Sequence, residues 1–237
     1  MIKNNSAHLK TLSVIVPVYN HATILVQNVQ RIVACLDSLP LDEYEIILIN
    51  DGSLDNSILK MSAIENDHII KISKKNKGLG SVIRLGSMIA KGNLILIIDL
   101  DLSYGILNMT KAFQLIDLCD CVVCSKYLSH NAYSKFKSAL SFIAYWSLNR
   151  LTNLPIRDIG SGLIMYKSTL IHSHLLMSQG FGIHFELFYT LQKNKAKMIE
   201  MPIDYHHEPG SYHPLRHSLS IVKEIGQFLW RQWFQKK

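Results

Sequence analysis

Five short apolar runs, at residues 12–18, 44–49, 68–72, 94–98 and 121–124, recur along the first half of the chain, and amphipathic segments separate them. Runs this short, bounded by turn residues and rich in Ile, Val and Leu, read as strands buried on both faces. Between the first two, Ile24, Leu25, Val29, Ile32, Val33 and Leu36 fall at helical spacing. Further helices are expected at about 55–65, from residue 79 to Lys91, and at 107–118, with Gly92-Asn93 ending the second of these. This alternation implies the α/β class: a Rossmann-like, mainly parallel sheet with helices on both faces. Past Ser125 the pattern loosens into a polar loop at 129–138, helices at 139–151, 186–193 and 218–234, and strands at 163–167 and 197–202. No repeat or Gly/Ser linker interrupts it. One domain over residues 9–217, followed by a helix at 218–237, is the expected organisation.

Composition excludes several classes. Of 237 residues, 48% are hydrophobic and 18% charged, enough apolar material for a sizeable core, so the chain is neither disordered nor collagenous. A net charge of +7 suits an anionic partner such as a nucleotide, nucleic acid or acidic membrane. No aromatic-basic interleaving favours nucleic acid. The polar N-terminus does not resemble a secretory signal, and no run approaches the roughly 20 apolar residues that span a bilayer. Cys119, Cys121 and Cys124 crowd together, but strand alternation places the first two on one face and the third on the other. They and Cys35 read as free thiols in a reducing, cytosolic setting rather than a zinc site.

In open parallel sheets, ligands bind beyond the carboxyl ends of strands. Three such ends carry polar groups: Tyr19-Asn20, Asn50-Asp51-Gly52-Ser53 and Asp99-Leu100-Asp101. A single acidic strand end is ordinarily a cap or turn residue, but three on one edge point to a site. No glycine fingerprint follows the first strand and no G-x-x-x-x-G-K-[ST] occurs, which argues against a dehydrogenase or a P-loop ATPase. Two carboxylates as close as Asp99 and Asp101 repel unless a cation intervenes, and hard divalent ions such as Mg²⁺ or Mn²⁺ share such ligands with substrate phosphates.

Taken in order, Val16-Pro17-Val18-Tyr19-Asn20, Asn50-Asp51-Gly52-Ser53, Asn76-Lys77-Gly78-Leu79-Gly80 and Asp99-Leu100-Asp101-Leu102-Ser103 resemble family-2 glycosyltransferases of the GT-A fold. The resemblance is nearest to the polyprenyl-phosphate group, of dolichyl-phosphate mannose synthase type. Ser125-Lys126-Tyr127, Asp158-Ile159-Gly160-Ser161-Gly162, Phe185-Glu186 and Met201-Pro202-Ile203 extend it over about residues 12–216. It implies inverting transfer of one sugar from a nucleoside diphosphate sugar to a polyprenyl phosphate at the cytoplasmic membrane face. By family position, Pro17, Tyr19, Asn20, Asp51, Lys77, Gly78 and Asp99 would meet the nucleotide sugar. Asp99 and Asp101 would hold Mg²⁺ or Mn²⁺, Asp101 more directly. Asp101 and Asp158 would be catalytic, and Lys126, His207, His213 and Arg216 would contact acceptor phosphate.

Departures leave two alternatives open. The usual P-x-Y-N-E ends in His21, the first acid of D-D-G-S is Asn50, and histidines stand where the family carries an arginine and a lysine in the C-terminal loop. One alternative acceptor is a sugar hydroxyl, which needs a general base, for which Asp158 is the candidate. The other is a catalytically weak GT-A scaffold subunit, against which the retained Asp99 and Asp101 argue. His206, His207, His213 and His217 lack the regular spacing of a metal site. The tail carries Arg216, Lys223, Arg231, Lys236 and Lys237 against Glu224 alone. Its apolar stripe, with Trp230 and Trp233, would suit either packing on the domain or a membrane interface.

Overall fold

The computed structural model describes residues 9–128, 148, 150, 152–203 and 214–234, with 214–222 described by backbone alone. Strands β1 (Thr11–Val18), β2 (Glu43–Asp51), β3 (Ile69–Lys74), β4 (Leu94–Ile98), β5 (Cys121–Ser125), β6 (Leu163–Lys167) and β7 (Met198–Pro202) form one sheet in the order β3-β2-β1-β4-β6-β5-β7. β1 to β4 pair in parallel, as do β5 and β7, while β6 runs antiparallel between β4 and β5. The helices whose bounds fall among the described residues are α1 (Leu25–Asp37), α2 (Ser57–Ser62), α3 (Leu79–Ile89), α4 (Leu107–Leu115), α5 (Gly182–Lys193) and α6 (Pro214–Phe234).

Strand alternation divides the interior in two. Val14, Val16 and Val18 of β1 face a core shared with Leu25, Val29 and Ile32 of α1 and Met109 and Phe113 of α4. Ile15 faces the other way, into a core with Ile83 of α3, Phe185 and Phe188 of α5, and Ile225, Phe228 and Leu229 of α6. Chain order runs outward from β1 to β3, then returns to β4 on the other side of β1. The β1/β4 boundary is therefore the point where strand order reverses, the place where such sheets open a crevice.

Most elements fall where periodicity puts them, and the differences have identifiable causes. Helix α5 begins at Gly182 rather than at 186, because its first turn is secured by a partner remote in sequence: Glu224 of α6 accepts the Gly180 and Gly182 N–H groups at 2.8 and 2.9 Å. Helix α6 begins at Pro214, a residue suited to a first helical turn. The loop and helix expected over 129–151 fall outside the described residues, apart from positions 148 and 150.

The cysteine faces need correction. Cys119 precedes β5 at the end of a single 3-10 turn (Ile116–Leu118), so strand alternation does not govern it. It shares the α1/α4 core with Cys124, and Cys121 faces the opposite core. All four cysteines are free thiols.

Candidate active site

The sheet topology gathers the expected residues along one edge. β1, β2 and β4 end there with Tyr19-Asn20, Asp51 and Asp99, and β5 ends there with Ser125-Lys126. Because β6 is antiparallel, the turn before it, Asp158 to Gly162, arrives at the same edge.

The ends of β1 and β2 are held by backbone–side-chain contacts. Asn20, at φ 55°, donates its N–H to Ser53 Oγ at 2.9 Å and accepts the Leu54 N–H at 2.8 Å. The Asn50 side chain accepts the Ser53 N–H at 3.1 Å and is fully buried, its amide nitrogen without a hydrogen-bond partner. Asp51 accepts the N–H groups of Lys77 and Gly78 at 3.0 and 2.8 Å and pairs with Lys74, so it fixes the 74–78 loop. Gly78 adopts φ 89°, and a Cβ there would stand 2.6 Å from the Gln179 carbonyl, so a side chain would be both strained and obstructed. Pro17 is half-buried and Tyr19 largely exposed.

Across the crevice stand the paired carboxylates. Asp99 donates its N–H to the Gly162 carbonyl at 2.9 Å, and a Cβ at Gly162 would collide with the Asp99 carboxylate. Asp101 accepts the Ser103 N–H at 3.0 Å. Lost solvation and then the Asp101 charge push Asp99 up to about 7, with Lys126 opposing. Two hard oxygen donors held together against their mutual repulsion fit a divalent cation, whose remaining ligands would come from diphosphate and water. Among the described residues no group of three or more His, Cys, Asp or Glu side chains could hold a metal. His21 feels both Asp101 and Asp55, yet burial outweighs them and lowers its pKa.

Lys126 and Asp158 lie beside the paired carboxylates, at the end of β5 and in the turn before β6. Lys126 Nζ donates to Tyr104 OH at 2.9 Å and stands 3.6 Å from Asp158 Oδ1. Tyr104 OH and the Lys126 N–H both donate to Asp158 Oδ2 at 3.1 Å. Asp158 is completely buried; burial pushes its pKa up, with Lys126 pulling against it. Tyr104 has no local sequence signal for this role, since its partners lie 22 and 54 positions away. His184, the third residue of α5, is also buried there, and desolvation lowers its pKa to about 4. His207 and His213 lie outside the described residues, and Arg216 is described only by its backbone, in α6.

The model of the family described as "Glycosyl transferase family 2" matches residues 13–192. The chain belongs to glycosyl transferase family 2. Solved structures agree on the fold. Mannosyl-3-phosphoglycerate synthase from Rubrobacter xylanophilus superposes with a TM-score of 0.71 at 16% identity, covering 96% of this chain and 75% of that one. Glucosyl-3-phosphoglycerate synthase from Mycobacterium tuberculosis, in complex with uridine diphosphate, gives 0.67 at 18% identity, covering 93% and 79%. The same synthase in complex with Mn²⁺, uridine-diphosphate-glucose and phosphoglyceric acid gives 0.68 at 17% identity, covering 93% and 79%. Within this family fold, the strand-end residues of β1, β2 and β4 line one side of the crevice, and the β5 end and β6 turn form the opposite wall.

Proposed function

We propose that this family-2 glycosyltransferase moves one sugar, with inversion, from a nucleoside diphosphate sugar to a polyprenyl phosphate at the cytoplasmic membrane face. The burial of Asp158 carries this reading. A sugar-hydroxyl acceptor needs a base that can reach it, but Asp158 is completely buried, its Oδ2 accepting from Tyr104 OH and the Lys126 N–H and its Oδ1 facing the Lys126 ammonium at 3.6 Å. An acceptor phosphate is already ionised near neutral pH. Its oxygen attacks the anomeric carbon, the bond from that carbon to the diphosphate oxygen breaks, and the nucleoside diphosphate leaves with the electron pair. No proton need move.

The chain's own residues then position and neutralise. Lys126 supplies a cation for the acceptor phosphate, with Asp158 and Tyr104 fixing its ammonium. Asp51 holds the 74–78 loop over the nucleotide, and Pro17, Tyr19 and Asn20 line the nucleoside side. Asp99 and Asp101 would hold Mg²⁺ or Mn²⁺, which supplies charge neutralisation on the departing diphosphate. Residues 9–217 would form the transfer domain, with 218–237 as its membrane-facing helix.

The phosphoglyceric acid in one solved relative motivates a second acceptor class, a hydroxyl compound bearing a phosphate that Lys126 could also hold. The test is a donor and acceptor screen. Purified protein with Mn²⁺ or Mg²⁺ is offered each common nucleotide sugar, with either undecaprenyl phosphate or 3-phosphoglycerate. Transfer to the lipid phosphate, lost by at least a hundredfold in a folded Asp101→Ala variant, is the expected outcome. Transfer to phosphoglycerate alone would replace the acceptor, and no transfer with any donor would leave the scaffold reading.

A further inference from the structure

The side of the molecule formed by α3, the 175–177 segment and α6 carries two features, of which only the 74–77 loop also borders the transfer site. The first is a shallow groove of about 440 Å³ lined by Lys74, Lys75, Lys77, Arg84, Leu85 and Met88. Lys74 is neutralised by Asp51, but among the described residues no carboxylate pairs with Lys75, Lys77 or Arg84. The second is a set of large apolar side chains left in solvent. Ile225, Phe228 and Leu229 of α6 are buried, while Trp230, Trp233 and Phe234 are 57%, 58% and 66% exposed. Leu175 and Met177 are similarly exposed, at 61% and 53%.

Direct contacts join the two features. Arg84 of α3 donates to the Leu176 carbonyl at 3.1 Å, and Arg231 of α6 reaches Met177 Sδ at 3.2 Å. The 175–177 segment therefore lies between a cationic groove on one helix and an aromatic face on another.

We propose that this continuous face, from the lysines after β3 to the tryptophans of α6, docks on an anionic lipid bilayer, with the β3–α3 groove taking lipid phosphate headgroups. Charge complementarity selects this occupant. Lys75, Lys77, Arg84, Lys223 and Arg231 bring cations to the face, and the carboxylate of Glu224 in α6 is taken up by the Gly180 and Gly182 N–H groups. Cations beside exposed tryptophans are the chemistry of an interfacial surface, in which the rings enter the headgroup–acyl boundary and the cations meet lipid phosphate. Exposed apolar area of this kind marks an interaction site. Because Lys77 also belongs to the loop held by Asp51, the docked face borders the donor pocket. This surface deepens the lipid-acceptor reading by placing that acceptor's membrane, and it can fail separately from it.

Flotation of the full-length protein with phosphatidylcholine vesicles, with and without phosphatidylglycerol and free of any polyprenyl phosphate, tests the surface. Binding should require phosphatidylglycerol and weaken, without vanishing, as salt screens the charges. Lys75→Glu/Arg84→Glu should lower partitioning more than tenfold, since each basic charge at such a surface is worth about fivefold. Lys75→Glu alone should act in the same direction and leaves the Arg84–Leu176 contact intact. Trp230→Ala/Trp233→Ala should lower binding at both low and high salt, with thermal melts unchanged. Absence of vesicle binding, indifference to all three variants, or self-association that the tryptophan variant abolishes would overturn the proposal. A parallel assay with a short-chain, water-soluble polyprenyl phosphate separates the two readings. The Trp230→Ala/Trp233→Ala variant should retain transfer there, whereas wild-type protein that floats but transfers nothing refutes the acceptor and leaves the surface standing.

Discussion

Asp51 and Asp158 are carboxylates turned inward, and each spends its charge on the chain itself. Asp51 gathers two backbone N–H groups and a lysine; Asp158 gathers a tyrosine hydroxyl, a backbone N–H and the Lys126 ammonium. Such carboxylates hold the 74–78 loop and the Lys126 ammonium in place. Lys126 is the group most exposed to this logic, because its side chain is only 17% accessible and its partner Asp158 is sealed. Lys126→Ala should raise the KM for lipid phosphate more than the KM for the donor. It should also lower stability by about 3 kcal/mol, since Asp158 is left buried without its cation. Lys126→Arg should recover both. Steady-state kinetics with each substrate varied, together with urea unfolding, measure the two effects. A larger rise in the donor KM would place Lys126 on the nucleotide instead.

Helix α6 works on both of its faces. Phe228 meets Tyr189 and Phe185 edge-on, at centroid separations of 5.3 and 6.0 Å, and these contacts seat the helix on α5. Glu224, one turn earlier, holds the 180–182 turn, and Glu186 of α5 accepts the Met177 and Ser178 N–H groups at 2.9 and 2.7 Å. Two helices thus pin the segment against which Gly78 and Gly80 pack. Phe228→Ala should therefore destabilise the whole domain by about 3–5 kcal/mol, the cost of emptying a buried aromatic site. A urea midpoint within error of wild type would mean that α6 is an appendage. Trp230 on the outer face should show no comparable loss.

The molecule as a whole should respond to acid through His184. Burial holds its folded pKa at about 4, whereas the unfolded chain titrates near 6.5. Between those values the unfolded state binds the additional proton, so stability falls as pH falls through this window. The full effect is about 3 kcal/mol, complete below pH 4 and absent above 6.5. His184→Phe should remove that part of the slope while leaving the carboxylate contribution. Urea unfolding of both proteins at pH 7, 5.5 and 4.5 makes the comparison, and parallel curves would show that His184 titrates normally.

Hydrophobic period and strand-end chemistry are local properties, so the sequence alone determined the alternation of strands and helices, the parallel pairing of β1 to β4, and the edge at which Tyr19, Asp51, Asp99 and Asp101 meet. The family resemblance was legible for the same reason: its motifs lie at strand ends, where short stretches of sequence suffice. Contacts between distant residues leave no such trace. That β6 would run antiparallel between β4 and β5, that Cys119 would escape strand alternation, and that Tyr104 would bridge Lys126 and Asp158 depended on partners tens of residues apart. The same holds for α6. Its periodicity showed an amphipathic helix but could not divide its broad apolar stripe between core and solvent. Only packing against α5 decided that Ile225, Phe228 and Leu229 turn inward and the tryptophans outward, because a helix face acquires its environment from the surface it meets.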